Sequence, residues 1–260
     1  MPALPAFCAG LIVSESSVFP SASAPSPARA PAAADSLANT LATSRQLLRC
    51  LAADWQATRG RLQRFERTGA GWQPVGAAWP VMLGRNGLAW GMDEAGPAGL
   101  PRKVEGDGRA PVGVFPVTAV FGYAAADSDL AQALRLPYLA AHPGLQCVDD
   151  PASAHYNRVV DRATVTVDWG SAEDMRRADG RYELGAVVGY NQPPQAGRGS
   201  CIFLHVWEAP GVATAGCTAL ALPAMRELAL WLDAAARPLL LQWPQAEYAA
   251  RRAAWGLPDF

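Results

Sequence analysis

The chain has 260 residues, of which 50% are hydrophobic and 17% are charged, and this composition excludes a wholly disordered protein. Its 22 Lys and Arg residues nearly balance 23 Asp and Glu residues. The chain therefore lacks the basic surplus that a general polyanion binder carries, and no nucleic-acid partner is expected. No apolar run reaches the roughly 18 residues that indicate a membrane-spanning helix, so no integral membrane segment is expected.

The first 39 residues are predicted to precede the folded domain. Residues 1–13 are apolar but too short to span a bilayer, and Ala22-Ser23-Ala24 fits the small-residue site at which a secretion signal is cleaved. Residues 20–36 form a Pro/Ala/Ser-rich linker without large apolar side chains. We therefore expect an exported protein of the periplasm or cell envelope, with its domain over residues 40–260. A mis-chosen start codon or a disordered tail is the alternative.

Short strands separated by turns are predicted from residue 46 onward. Gln46–Ala53, Gly60–Thr68 and Val75–Leu83 have strand-like composition, and Gly69-Ala70-Gly71 is typical of a hairpin turn. The glycine-rich stretch Gly106–Phe115 lacks the ending of a phosphate-binding P-loop. From spacing alone it is interpreted as a tight turn that leads into a strand.

The second half of the chain continues the pattern of strands and adds helices near its end. An acidic pair, Glu173 and Asp174, is interpreted as a helix start. No βαβ alternation appears, so we predict a mainly β protein, an antiparallel sandwich or barrel-like sheet with one or two packed helices. The predicted strands are Leu88–Trp90, Arg162–Trp169, Gly185–Tyr190, Ser200–Trp207 and Leu239–Trp243, and the predicted helices begin at Leu222 and Glu247.

The sharpest chemical feature is a histidine on an apolar strand followed by a cysteine in a glycine-flanked turn. His205 belongs to the strand, and Thr214-Ala215-Gly216-Cys217 forms the turn. Taken separately, each residue is more typical of a core histidine or an inert thiol. Together they predict a nucleophile and its base, because a thiol needs a neighbouring proton acceptor to become nucleophilic. The amides of Gly216 and Cys217 are positioned to face a developing oxyanion.

A metal site is not favoured by the same residues. Cys201 and His205 lie four apart on a predicted strand, roughly 13 Å from each other, which is too far to share one zinc ion. No C-x-x-C pair exists in the chain, so neither a metal nor another cofactor is expected. The five cysteines are an odd number, and the sequence leaves open whether Cys50, Cys147 and Cys201 include a disulfide-bonded pair.

Three stretches resemble one known family, the L,D-transpeptidase catalytic domain, also called the YkuD domain. Gly106–Phe115 is similar to the family's GDGxTPxGxF strand, Gly189–Pro193 with Gly199–His205 is similar to its histidine segment, and Thr214–Cys217 is similar to its nucleophile motif. The family pattern of Ser-His-Gly-Cys followed by Arg or Asn is replaced here by Thr-Ala-Gly-Cys-Thr-Ala. The resemblance is therefore to a divergent branch with a T/S-x-G-C motif.

The resemblance implies a mechanism. Cys217 would attack a peptide carbonyl at the L-centre of the diamino acid in a peptidoglycan stem and release D-alanine. His205 would take the thiol proton and return it to the leaving amine. The backbone carbonyl near Ala215 would orient the imidazole, and the amides of Gly216 and Cys217 would hold the oxyanion.

The resolving step sets the outcome that the resemblance implies. A second stem amine would give a cross-link, whereas water would give an L,D-carboxypeptidase or amidase-type hydrolase. A peptidoglycan-binding module with a dead site is the third alternative. An open groove is expected, with Tyr190, Asn191 and His155 as candidates to line it. The acceptor and the oligomeric state stay open.

Overall fold

The computed structural model describes residues 39–91 and 98–259, and the predicted signal-like segment lies outside these residues. Residues 39–43 are helical. The strands are β1 Gln46–Ala52, β2 Arg59–Thr68, β3 Gly71–Met82, β4 Leu88–Trp90, β5 Ala110–Gly122, β6 Tyr138–Ala140, β7 Leu145–Val148, β8 Val159–Asp161, β9 Ala172–Asp174, β10 Leu184–Val188, β11 Phe203–Val206, β12 Thr218–Leu220 and β13 Leu239–Pro244. The helices are α1 Asp129–Ala133, α2 Leu222–Trp231 and α3 Gln245–Arg251, with a 3₁₀ turn at Ala234–Ala236.

The main sheet closes on itself as a barrel. Its strands follow the order β10-β11-β12-β3-β2-β1-β13-β5, and β5 also pairs with β10, which completes the ring. β4 and β6 add to β5. The prediction of a mainly β, barrel-like fold with few helices is confirmed. The pairing is mixed, because β1 with β13 and β11 with β12 run parallel.

The barrel is stabilised by an apolar interior. β1 is buried along almost its whole length, which fits a strand with neighbours on both edges and packing on both faces. Helix α2 carries Pro223 in its first turn and buries Met225, Leu228 and Ala229. This apolar face packs against β10 and β11, so the helix supports the strand that carries His205. No helix among the described residues has the length and apolar character required to cross a membrane.

A small second sheet corrects two sequence predictions. It has the order β8-β7-β9, and residues 162–169 between β8 and β9 are turns and irregular backbone rather than a strand. The side chain of Asp161 accepts the amide of Ala163 and starts a turn there. Glu173 and Asp174 lie on β9, paired with β7, so the predicted helix start is wrong.

The predicted strand Ser200–Trp207 is shorter in the structure, where β11 covers Phe203–Val206. Cys201 has a φ of 53°, a left-handed backbone conformation that interrupts an extended strand. Its sulfur forms a disulfide with Cys147 of β7, with the two Cα atoms 5.9 Å apart. Cys201 is buried but therefore lies outside the strand that carries His205. The disulfide joins the small sheet to the segment that leads into β11.

Candidate functional site

The barrel places His205 and Cys217 on one face of two neighbouring parallel strands. His205 on β11 is paired with Ala219 of β12, and Cys217 comes directly before β12. Paired residues of parallel strands point to the same side, and so do residues two apart on one strand. The side chains of His205 and Cys217 therefore project in the same direction.

Both side chains line one cavity of about 160 Å³. Tyr182 and Ala215 also contribute to its wall, and β9 of the small sheet contributes Glu173. The remaining polar wall is formed by charged side chains at the mouth, namely Arg177, Arg181 and Glu208. The cavity holds a thiol, an imidazole, a phenol and a carboxyl group within one small space, which is a typical composition for a catalytic pocket.

The turn before the thiol is fixed by Thr214. Its hydroxyl donates to the carbonyl of Cys217 at 2.6 Å and accepts the amide of Gly216 at 3.1 Å. Gly216 has a φ of 152°, and a Cβ there would lie 3.1 Å from the carbonyl oxygen of Arg109. Only glycine fits this turn without strain. The Gly216 amide, which was expected to hold an oxyanion, is instead bonded to Thr214.

The Cys217 thiol is held by two backbone groups. Its Sγ accepts the amide of Phe203 at 3.3 Å, and its S–H donates to the carbonyl of Cys201 at 3.4 Å. Among the residues that the structure describes, the side chains of Cys217 and His205 share no direct hydrogen bond with each other. Burial, with a smaller contribution from the carboxyl of Glu173, raises the pKa of Cys217 to about 12. The group is therefore a neutral thiol at neutral pH rather than a preformed thiolate.

The His205 imidazole is held as a neutral ring. Its Nδ1 lies 2.8 Å from the carbonyl oxygen of Val206. A carbonyl can only accept, so Nδ1 carries the proton and Nε2 keeps its lone pair. Burial lowers the pKa of His205 to about 4. The expected carbonyl near Ala215 does not hold the ring: the carbonyl of Val206, the last residue of β11, takes that place.

Two further groups of the cavity were missed by sequence reasoning. The Tyr182 hydroxyl donates to Oε2 of Glu173. The Tyr182 ring meets the His205 ring edge-on, with centroids 5.4 Å apart. Burial raises the pKa of both Tyr182 and Glu173. A three-residue strand such as β9 has no periodicity that could have shown which face Glu173 occupies.

The three predicted groove residues lie outside the lining of this cavity. Tyr190 is buried, and its hydroxyl donates to the carbonyl of Arg198. Asn191 donates to the carbonyls of Gln195 and Gly199 and thereby organises its own loop. His155 packs edge-on against Trp169, with ring centroids 5.6 Å apart. Each residue supports the loops around the site instead of forming the cavity wall.

Asn157 connects these loops to the thiol. Its Nδ2 donates to the carbonyls of Tyr190 at 2.8 Å and Asn191 at 3.0 Å, and its Oδ1 accepts the amide of Cys201 at 3.0 Å. Asn157, Asn191 and Cys201 all have positive φ angles, between 53° and 60°. Such backbone strain often accompanies functional sites. The network fixes the Cys201 carbonyl that accepts the S–H of Cys217.

The glycine-rich stretch packs behind the turn Thr214–Cys217. The carboxylate of Asp107 accepts hydrogen bonds from the buried Lys103 ammonium at 2.6 Å and from the amide of Arg109 at 2.8 Å. Gly106 and Gly108 both have positive φ, as the interpretation of a tight turn predicted. The carbonyl of Arg109 then faces Gly216. This stretch therefore shapes the turn that carries Cys217.

Comparison with known proteins adds little to this description. No family model and no curated protein match the chain. It is similar to the solved structure of Bdellovibrio bacteriovorus Bd1075, at 14% identity and a TM-score of 0.39, over 83% of this chain and 55% of that chain. This chain thus spans just over half the length of that chain. A likeness this distant carries no argument about activity.

Proposed function

We propose that this protein is a cysteine acyltransferase that acts on peptidoglycan stem peptides through a thioester on Cys217, as a divergent L,D-transpeptidase. The observation that carries the proposal is that Cys217 and His205 line the same cavity. The order of histidine before a Gly-Cys nucleophile, with a glycine-rich strand upstream, supplies the resemblance that names the substrate class. Neither the cavity nor the resemblance alone would lead to this function.

The acylation step follows from the protonation states at rest. Both Cys217 and His205 are neutral, so proton transfer accompanies the attack instead of preceding it. The sulfur bonds to the carbonyl carbon of the stem while Nε2 of His205 takes the S–H proton. The imidazolium then returns this proton to the leaving D-alanine amine as its C–N bond breaks. The amide of Cys217 is the candidate donor to the oxyanion, because Thr214 holds that of Gly216.

The resolving step decides between two enzymes on one scaffold. Attack on the thioester by an amine of a second stem gives a cross-link, and attack by water gives an L,D-carboxypeptidase. The thiol is regenerated in both cases, because His205 takes a proton from the attacking group and returns it to sulfur. The hydrolase stays the second candidate, since the cavity opens to solvent.

An envelope location is part of the same proposal. The substrate lies outside the cytoplasm, and the signal-like segment with Ala22-Ser23-Ala24 is consistent with export. The disulfide between Cys147 and Cys201 supports the same compartment, because disulfides persist in oxidising environments such as the periplasm.

Product analysis with a tetrapeptide stem tests the proposal. The protein is incubated with the stem alone and with a second stem as acceptor, and products are identified by mass spectrometry. Release of D-alanine with a cross-linked product supports the transpeptidase, and release without a cross-link supports the hydrolase. Cys217→Ala should abolish both. Binding without any D-alanine release would support the inactive module, and unchanged turnover in Cys217→Ala would overturn the nucleophile assignment.

A further inference from the structure

Glu173 is a carboxylate of the cavity that has no cationic partner among the described residues. The two arginines of the same wall are occupied elsewhere. Arg177 binds Asp179, with Nη2 2.6 Å from Oδ2, and Arg181 pairs with Glu208 and Asp179. Glu173 accepts the Tyr182 hydroxyl on Oε2. Glu173 therefore lines the cavity without an ion pair of its own among the described residues.

The fold holds this carboxylate close to the nucleophile by a short series of bonds. Glu173 of β9 is the register partner of Cys147 on β7. Cys147 is disulfide-bonded to Cys201, and the carbonyl of Cys201 accepts the thiol proton of Cys217. The position of Glu173 relative to the sulfur is thus set by a strand pair, a covalent bridge and one hydrogen bond. This rigidity is what a binding group near a reacting atom requires.

Transfer to an amine requires a proton acceptor in addition to His205. Alkylamines resemble lysine, with a pKa of about 10.4, and so arrive as ammonium ions at neutral pH. The ammonium must lose one proton before its nitrogen can attack the thioester carbon. The nitrogen loses a second proton as the amide forms and the C–S bond breaks. His205 passes that second proton to sulfur, so the first proton needs a different acceptor.

We propose that Glu173 is the acceptor-binding residue of this site: its carboxylate binds the ammonium group of the incoming amine and takes its first proton, while the Tyr182 hydroxyl fixes the carboxylate. This inference rests on the proposed function and assigns to Glu173 the binding of its acceptor amine. The atoms balance, because the amine loses one proton to Glu173 and one, through His205, to the departing sulfur. The proton on Glu173 returns to solvent through the cavity mouth.

The surroundings of Glu173 are consistent with this role. Burial raises the pKa of its carboxyl, and Asp149 and Glu105 act in the same direction. Tyr182 and Arg177 act in the opposite direction. An ammonium ion in the cavity would relieve the cost of burying this carboxylate, which favours occupation by a cation.

The experiment compares three nucleophiles on the same thioester. A tetrapeptide stem is the donor, and the acceptors are water, hydroxylamine and butylamine. Butylamine is a cation at neutral pH, whereas hydroxylamine is a neutral nucleophile. Glu173→Gln removes the charge and keeps a group that can accept from Tyr182. Glu208→Gln is the matched control, because Glu208 lines the same cavity but is paired with Arg181.

The expected result is selective. Glu173→Gln should lower transfer to butylamine by about tenfold, the size expected for one hydrogen bond to a charged group, and leave hydrolysis and hydroxamate formation within twofold. Glu208→Gln should leave all three within twofold. Equal loss with all three nucleophiles in Glu173→Gln, or no loss with butylamine, would overturn the inference. Equal loss with butylamine in both variants would do the same, since it would show a general effect of charge.

Two further measurements keep the outcomes distinct. If Glu173→Gln does not fold, tert-butylamine is added to the wild-type protein. This amine is a cation at neutral pH, and its bulk makes it a poor nucleophile. It should compete with butylamine but not with hydroxylamine, and equal inhibition of both, or of neither, would refute the site. If the wild-type protein forms no thioester and no hydroxamate, the proposed function itself is wrong and this inference falls with it. Thioester formation without any role for Glu173 would overturn the inference alone.

Discussion

Two buried free cysteines, one in the barrel wall and one beside the cavity, have similarly raised pKa values but different surroundings. Cys50 lies in the middle of β1, paired with Leu62 on one side and Gln242 on the other. Cys217 lies at a turn beside His205 and Glu173. Both are free thiols, and burial raises the pKa of each to about 12.

This comparison shows that a shifted pKa does not identify a nucleophile. Burial alone produces the same shift in the barrel wall, where Cys50 is surrounded by the strands of the core. Cys217 differs because a cavity reaches it and a neutral imidazole lies in the same wall. Under the proposed function, access and a proton acceptor, rather than a low resting pKa, are the features that would make Cys217 the reactive thiol.

The largest expected difference comes from removing each thiol in turn. Cys217→Ala should abolish D-alanine release, a loss of at least about 10³-fold, because it removes the sulfur on which the acyl intermediate is proposed to form. Cys50→Ala should keep the wild-type rate, since its side chain contacts only the core. Steady-state release from the tetrapeptide stem measures both. A larger loss in Cys50→Ala than in Cys217→Ala would reverse the assignment.

Removing the base should have the next largest effect. His205→Ala should lower the acylation rate by about 10²–10⁴-fold, the usual contribution of a positioned general base. The thiol of this variant should still be present and alkylatable, which separates loss of the base from loss of the nucleophile. Single-turnover acylation followed by mass spectrometry gives the rate. A folded His205→Ala protein with wild-type kinetics would show that the two groups do not work together.

The disulfide next to the site should contribute strongly to stability. The chain-entropy model gives about 4 kcal/mol for a bridge that closes a loop of this length, with a sequence separation of 54 residues. The double variant Cys147→Ala/Cys201→Ala should therefore unfold at a lower denaturant concentration and also acylate more slowly, because the Cys201 carbonyl holds the thiol. Denaturant unfolding monitored by fluorescence measures the loss of stability. Equal stability of the double variant and the wild-type protein would contradict this prediction.

The dependence of labelling on pH should also separate the two thiols. Alkylation of Cys217 by iodoacetamide should rise about tenfold per pH unit between neutral pH and pH 9, without a plateau, because its pKa lies at about 12. Cys50 should stay unlabelled until the barrel unfolds. Acylation by the stem should instead be constant from neutral pH down toward pH 4, since His205 accepts a proton only while it is neutral. A plateau of the alkylation rate near pH 7 would indicate a preformed thiolate.

His205 also links stability to pH, and the sign follows from its lowered pKa. The unfolded chain takes up a proton near the usual histidine value of about 6.5, whereas the folded ring takes one up only near 4. The contribution of this ring to stability is therefore complete above about pH 6.5 and is lost as the pH falls toward 4. His205→Gln should flatten this part of the stability curve.

The sequence predicted most of the barrel because its strands are long and locally marked. β1, β2 and β3 match apolar or alternating runs with a glycine turn between the last two, and α2 follows the helical spacing of Leu222, Met225 and Leu228. The His205 strand and the Cys217 turn could also be found, because both are local patterns. Their catalytic roles stay predictions.

The part of the site that the sequence could not predict depends on long-range contacts. β9 has three residues and owes its existence to pairing with β7, so no local pattern indicated that Glu173 reaches the cavity. Tyr190 and Asn191 belong to a motif stretch and His155 is polar for its surroundings, and on these grounds the sequence predicts that they line a groove. The Asn157 network and the Cys147–Cys201 bridge turn that segment into a support for the thiol instead.

Covalent labelling with a carbapenem, read by intact-protein mass and peptide mapping, tests the central claim most directly. The account predicts one adduct per chain, located on Cys217 and not on Cys50, because Cys217, unlike Cys50, combines a cavity with a neighbouring base. The adduct should be absent in Cys217→Ala and should form much more slowly in His205→Ala. Failure of the folded wild-type protein to form any adduct, or an unchanged adduct in Cys217→Ala, would contradict the account.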